Sequence, residues 1–408
     1  MRNRKYEVTS AARCNLAFGG MQGCYYGSNC MFFGFLIAYL TSKGYSNILV
    51  GLNSTIIAAA TMLAQPLGGY IIDSFISPKK FLIISALISV PCTILFFMLD
   101  AGPAVSMMLI ALIALFYSPL GGVIDSWSVR IREQGVAINY PVTRSMGSIF
   151  YSTSALIVGV IISRFGYSVM LPAHLIFLAL MLISCFFEED VPCKNKVRRE
   201  DTTQQRIGLL QAFKILLTNS TYTIFLISYF FYNLGLRVVA TFITPILQER
   251  GGTPAQVGMA LFMAAFFELP ILLTFNRYIM RLKLEAIYIL SLSFGFFRVI
   301  AINMSDNVAA VMLAQFFQGI SFGLNLPLLL EYISRIVPEK LRGTAITIAL
   351  AAGAGAALIL GNMVGGVLMD SFGTTTFINI MGGCMLVSII IFTVPTLIRK
   401  KKATPREL

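Results

Sequence analysis

The feature that most constrains this chain is the recurrence, along nearly its whole length, of continuous apolar runs of about 20 residues. A run of that length, wound as a helix rising ~1.5 Å per residue, matches the ~30 Å hydrocarbon core of a bilayer. Twelve runs are drawn: 15–41, 46–72, 80–99, 103–124, 140–163 and 167–187, then 221–246, 254–276, 284–304, 308–336, 343–368 and 375–397. A membrane β-barrel would instead alternate polar and apolar over ~10 residues. Composition points the same way. The 408 residues are 57% hydrophobic and 12% charged, with mean hydropathy +0.80, against about 25% charged in water-soluble domains. Too few charges remain to cover a water-facing surface, so an all-α protein of twelve transmembrane helices, solvated by lipid, is expected.

The net charge of +13 would raise nucleic acid as a partner if the chain were soluble. Its distribution excludes that reading. With the N-terminus in the cytoplasm, cytoplasmic segments hold 25 of the 31 Lys and Arg, and the opposite side holds Lys43, Arg164 and Arg250. Loops on the cytoplasmic side are the basic ones, and adding or dropping a span puts a basic block on the wrong side. The expectation is a multi-pass protein of the cytoplasmic membrane with both termini inside. Met1 to Arg13 is polar and basic without a signal-peptide cleavage pattern, so the first span is expected to serve as an uncleaved signal.

The runs fall into two groups of six, giving bundles at 1–187 and 221–408 joined by a cytoplasmic linker at 188–220. That linker opens on Glu188, Glu189 and Asp190 and continues through Lys194, Lys196, Arg198 and Arg199. Within it, Ile207 to Leu217 has the pattern of a short amphipathic helix on the membrane surface. The halves echo one another. Span 5 carries Gly147, Ser148, Ser152, Ser154 and Gly159, and span 11 carries Gly353, Gly355, Gly361, Gly365 and Gly366. Small residues let helices approach closely in lipid. Pseudo-symmetric halves with a site between them are the pattern of secondary transporters, and two halves in one chain permit a functional monomer.

Ionisable groups deep in the membrane cost at least ~2.5–3.5 kcal/mol each and so mark partners or cavities. Arg144, Arg237 and Arg298 lie inside spans 5, 7 and 9, Asp125 near the end of span 4 and Glu268 in span 8, while Glu331 is shallower in span 10. Asp125 with Arg144, and Glu268 with Arg298 or Arg237, are the natural pairs. Glu268 stands alone in a long apolar stretch with Pro270 just after it, where a freed carbonyl serves a cavity, and it is the candidate for proton coupling. Tyr25 and Tyr26, Phe150 and Tyr151, and Tyr229 to Tyr232 add aromatic surface beside the arginines, which suits a hydroxylated ring ligand. The lone Trp127 lies near Asp125. His174, the single histidine, reads as structural. The seven cysteines are scattered without metal or redox spacing, and no cofactor or metal is expected.

Several segments resemble the lactose permease-like oligosaccharide–proton symporters of the major facilitator superfamily. "QPLGGYIIDSF" (65–75), followed by Lys79 and Lys80, is similar to the superfamily's inter-helix loop. "TRSMGS" (143–148) is similar to the family's sugar-binding segment, and "GNMVGGVLMDSFG" (361–373) also resembles it. The resemblance implies the twelve-helix major facilitator fold. It implies a substrate site of Asp125, Arg144, Ser148, Tyr151, Glu268 and Arg298, and a gating role for Asp73, Lys79 and Lys80. A carboxylate at Asp73 is expected to hold a neighbouring helix N-terminus through its dipole. Tyr26, Arg237 and Gln318 are additional polar candidates. One departure stands out: the family's span-10 lysine, histidine and glutamate are here Gln315, Gln318 and Ser321.

The expected function is import of a sugar, oligosaccharide or nucleoside-like solute by alternating access, with the proton as coupling ion. An exporter of amphipathic compounds and an uncoupled facilitator or exchanger remain open. A non-transporting sensor ranks lower, since no large soluble output domain is present, and an enzyme lower still, since no histidine–carboxylate cluster is present.

Overall fold

Apolar composition and hydrogen-bond satisfaction in lipid leave helices as the economical solution, and helices are what the chain forms. The computed structural model describes residues 2–99, 102–191 and 209–403, with no strand among them. In order they are α1 (Arg2–Asn29), a π segment (Cys30–Gly34), α2 (Phe35–Ser42), α3 (Asn47–Ser74), α4 (Pro78–Met98), α5 (Gly102–Tyr117), α6 (Pro119–Glu133), α7 (Tyr140–Phe165) and α8 (Met170–Phe186). The second half holds α9 (Leu209–Thr218), α10 (Ser220–Thr241), α11 (Ile243–Glu249), α12 (Pro254–Phe266), α13 (Glu268–Arg281), α14 (Leu284–Asn303), α15 (Val308–Ile336), α16 (Arg342–Ile348), a second π segment (Ala349–Gly355) and α17 (Ala356–Ala403).

Ten helical stretches among the described residues are long and apolar enough to cross a membrane. The first span adds an eleventh, its helix divided by the π segment at Cys30–Gly34. The stretch Glu339–Arg399 is 61 residues long, roughly three bilayer thicknesses if straight. It bends at Gly373, whose φ of 81° only glycine adopts readily, and so it supplies spans 11 and 12. The helix starts are set locally. Asn139, Asn219 and Asn307 cap α7, α10 and α15 by accepting from first-turn amides, and Thr253 with Gln256 forms a capping box on α12.

By contact, the chain forms two units: Met1–Lys43 with Ile56–Thr203, and Gly44–Thr55 with Gln204–Leu408. In the first, α1 packs on α7 and α8, and α4 on α5. In the second, α10 packs on α17, α14 on both α15 and α17, and α12 and α13 on α15. Mid-helix apolar side chains such as Leu87, Ile157 and Phe297 are exposed, while Ser89, Thr93, Ser228, Ser291 and Ser321 are buried. This inversion of a water-soluble core follows when the outside is hydrocarbon and interhelical hydrogen bonds join the helices.

The division between units falls within the expected linker. Its basic run from Lys194 to Arg199 lies outside the described residues, as do the first two residues of the expected amphipathic helix. That helix is α9, with Phe213, Ile215 and Leu217 exposed and Leu216 buried. A difference from the sequence reading lies at Gly44–Thr55, which belongs with the second unit. The cause is backbone contact. A Cβ on Gly51 would meet the Asn362 carbonyl, and one on Gly366 would meet the Asn47 carbonyl. Beside that crossing, Asp370 accepts from the backbone amides of Asn47 and Ile48 (3.1 and 2.8 Å) and from the Asn47 side chain (2.8 Å). It thereby supplies the N-terminal acceptor and the negative charge that the start of α3 favours. Asp370→Ala is expected to weaken this first turn by about 1–2 kcal/mol, raising hydrogen exchange of peptides covering 44–55 about 5- to 30-fold. Unchanged exchange there would refute the capping role.

Candidate functional site

The first unit gathers its polar residues where α1, α6 and α7 meet. Asn139 starts α7, which places Tyr140, Arg144, Ser148 and Tyr151 one turn apart on one face. Arg144 donates to the Tyr26 hydroxyl at 2.8 Å, and its guanidinium carbon lies 4.5 Å from the Tyr26 ring centroid. Gly147 makes this approach possible, since a Cβ there would strike the Tyr26 ring. Gln22, one turn before Tyr26 on α1, donates to Asp125 at 2.5 Å. Asp125 also lies within electrostatic reach of Tyr140 and Arg144. The cluster is thus Gln22, Tyr26, Asp125, Tyr140 and Arg144. The sequence reading missed Gln22 and Tyr140. Their signal was the four-residue spacing from Tyr26 and Arg144.

The scaffold behind this cluster is aromatic. Tyr117 stacks on Tyr25 at 5.1 Å and donates to the Tyr25 carbonyl at 2.7 Å, which holds α5 against α1. Trp127 is fully buried, edge-on to Phe18 at 5.5 Å, and belongs to the core. His174 is buried with Nδ1 at 2.9 Å from Ser28 Oγ and 3.0 Å from the Ser28 carbonyl, a structural tie between α8 and α1. Ser148 and Tyr151 make no side-chain hydrogen bond among the described residues.

In the second unit Arg298 of α14 is fully buried. It donates through Nε and a terminal nitrogen to Gln315 Oε1 (3.3 and 3.0 Å) and through the other nitrogen to the Leu236 carbonyl (3.0 Å). Gln315 is anchored in turn on Val311 O at 2.8 Å. The expected ion pair of Arg298 with Glu268 is therefore corrected to a neutral cage. Hydrogen bonds to charged groups contribute ~1.5–3 kcal/mol each, so three of them match or exceed the ~2.5–3.5 kcal/mol cost of the buried arginine. A carboxylate is unnecessary there. Glu268 opens α13 after a break in the helix at Phe267, and its carbonyl packs against Gly323 of α15. Beside them Ser291 and Ser321 donate to each other's carbonyls (2.8 and 2.7 Å), and Tyr232 reaches Ser321 Oγ at 3.2 Å. Arg237 lies over the Phe322 ring at 5.9 Å, and the buried Gln318 Oε1 has no partner among the described residues. The shallow Glu331 pairs with Arg335 one turn along its own helix at 2.7 Å, a surface pair.

Residues 23–379 match the profile of the MFS_1 like family. The chain belongs to that family and is a major facilitator transporter. It is 24% identical over 377 residues to "Maltose permease" of Geobacillus stearothermophilus, covering 92% of each chain. It is 23% identical over 342 residues to "Putative nucleoside transporter YegT" of Escherichia coli strain K12, covering 81% of this chain and 79% of the other. Among solved structures the fold matches the nucleoside transporter NupG with TM-score 0.78 at 18% identity, over 94% of this chain and 98% of that one. It also matches a POT family transporter in complex with 5-aminolevulinic acid, with TM-score 0.67 at 11% identity over 96% of each chain.

The residues expected to gate, Asp73, Lys79 and Lys80, are placed differently from one another. Asp73, at the end of α3, pairs with the buried Arg130 of α6 at 2.6 Å, and Arg130 also donates to the Ile72 carbonyl at 3.2 Å. Its partner is thus a guanidinium and not a helix N-terminus, which corrects the expectation. Asp370 is the carboxylate that caps a helix start. Lys79 donates to the Glu188 carbonyl at 2.8 Å, and Lys80 is exposed. Ser77 donates to Asp190 at 2.8 Å, Arg13 to the Phe187 carbonyl at 2.6 Å, and the Cys14 thiol to Glu188 at 3.4 Å. Residues 187–190 are thereby strapped to α1 and to the α3–α4 turn.

Two outcomes are expected. Asp73→Asn removes a half-exposed pair worth ~0.5–1 kcal/mol, so it should change transport rate about two- to fivefold while solute affinity is preserved. Equal loss of affinity would contradict this. Burial holds the Glu188 carboxyl above its ordinary 4.5, against the Cys14 hydrogen bond and the charges of Arg13 and Lys79. The folded state therefore prefers the proton. That contribution is complete below the ordinary value and is lost as pH rises through the raised one. Thermal stability should fall as pH is raised from 4.5 toward neutrality, and Glu188→Gln should flatten the slope; an unaltered slope would remove Glu188 as its source.

Proposed function

We propose that this transporter imports a hydroxylated ring solute, a sugar, oligosaccharide or nucleoside, by alternating access, as a monomer in the cytoplasmic membrane with both termini inside. The observation that carries the reading is the Tyr26–Arg144 clamp, with Asp125 held beside it by Gln22. A guanidinium fork, a carboxylate and an aromatic face are the donors, acceptor and stacking surface that a polyhydroxylated ring requires. In this reading Asp125, Arg144, Ser148 and Tyr151 serve the solute. Arg298 acts as a positioning residue that ties α10, α14 and α15 together. The names of two relatives, a maltose permease and a putative nucleoside transporter, support the solute class.

Glu268 is proposed as the proton-coupling group. A second reading, facilitated transport without coupling, draws on a specific observation: Arg298 is satisfied by Gln315 and Leu236, so span 10 brings no carboxylate to it. A thermal-shift screen of maltose, lactose, uridine and adenosine on the purified protein tests the solute class. At least one is expected to stabilise the wild type. Arg144→Ala, losing charged hydrogen bonds worth ~1.5–3 kcal/mol, should weaken that ligand about tenfold or more. No response, or an equal response of the variant, would sink the assignment. In proteoliposomes, Glu268→Gln is expected to abolish pH-gradient-driven accumulation while sparing exchange. Accumulation unchanged in the variant removes Glu268, and a wild type indifferent to the gradient selects the uncoupled reading.

A further inference from the structure

The two arginines of the second unit are solvated differently. Each guanidinium nitrogen of Arg298 has an acceptor, in Gln315 or the Leu236 carbonyl. Arg237, one residue past Leu236 on α10, has no carboxylate and no hydrogen-bond acceptor for its side chain among the described residues. Its guanidinium carbon lies 5.9 Å from the Phe322 ring, at the limit of cation–π range, and within electrostatic reach of Tyr229 and Tyr232. Arg237 lies 17 residues after Ser220 and four before Thr241, the end of α10. The guanidinium is half-buried, so it remains accessible.

A second unsatisfied group lies on the helix that carries Phe322. Gln318, one turn before Phe322 on α15, has its Oε1 buried without a donor, and Gln315, Gln318 and Phe322 share one face of that helix. An unfilled cationic fork and an unfilled neutral acceptor therefore flank an aromatic ring. The complementary ligand carries a carboxylate for the fork and a hydroxyl to donate to the amide.

Resting on the transport reading above, we infer that Arg237, Phe322 and Gln318 form an anion-recognising subsite, and that the solute is a hydroxylated ring bearing a carboxylate, of the sugar-acid class. Arg237 selects the charged member of otherwise equal solutes.

The test uses matched neutral and anionic pairs on the purified full chain: glucose with glucuronate, lactose with lactobionate, and uridine with orotidine. Affinities are read by thermal shift and calorimetry. For the wild type the anionic member of at least one pair is expected to bind tenfold or more tightly than its neutral partner. Arg237→Gln should erase that preference and leave the neutral affinity unchanged, while Arg237→Lys, a point charge without the fork, should keep part of it. If both members of every pair bind the wild type equally, or Arg237→Gln weakens both alike, the subsite is wrong and the transport reading stands. If no member of any pair binds the wild type, both readings fall. A misfolded variant is recognised by loss of its cooperative unfolding transition in the absence of any solute and is replaced by Phe322→Leu, which removes the ring and is expected to reduce the same preference.

Discussion

The rest of this structure depends on one constraint: inside hydrocarbon, every polar group must find its partner within the chain. Backbone groups meet it by forming helices. Side chains meet it in small closed sets, such as the reciprocal Ser291–Ser321 pair with Tyr232 and the Ser28–His174 tie. Such sets set the registry of neighbouring helices, because a one-residue slip would leave two orphans where there was one bond. The aromatic contacts, Tyr25 on Tyr117 and Phe18 on Trp127, then fill the space between the registered helices.

The deep arginines show how differently the constraint is met. Arg298 uses a neutral cage of one amide and one carbonyl, and so binds three helices without a carboxylate that changes charge with pH. Arg144 spends its guanidinium on Tyr26, with Asp125 near enough to compensate the charge. Arg237 has a ring and, among the described residues, no acceptor.

Close backbone approach is the second device. Gly51 and Gly366 let α3 and α17 cross at carbonyl contact, and Asp370 places its charge at the α3 start there. Gly147 allows the Tyr26 ring to lie on α7, and Gly353, in the second π segment, allows Tyr229 to lie on its helix. Gly147, Gly353 and Gly366 occupy the small-residue positions visible in spans 5 and 11, and each has a definite neighbour. The π segments fall in spans 1 and 11, where one extra residue per turn shifts the side-chain face part-way along the helix.

The sequence by itself determined the solvent, the number of spans and the list of deep charges, because hydropathy and the cost of ionised groups in lipid act residue by residue, independent of what lies opposite. The family likeness was equally legible in short ordered motifs. Partnership was not. Asp73 meets Arg130, 57 residues away, and Asp370 caps a helix 322 residues earlier, while Glu331 turns back to its own Arg335. Glu268 was a plausible mate for Arg298, yet Gln315 took the place, because α14 and α15 pack side by side and bring a neutral amide within reach. Gln22 and Tyr140 escaped notice because an uncharged residue in a span carries no penalty large enough to flag it. Which charges are satisfied was decided only when the helices packed, since hydrogen bonds depend on distances between helices that no single helix specifies.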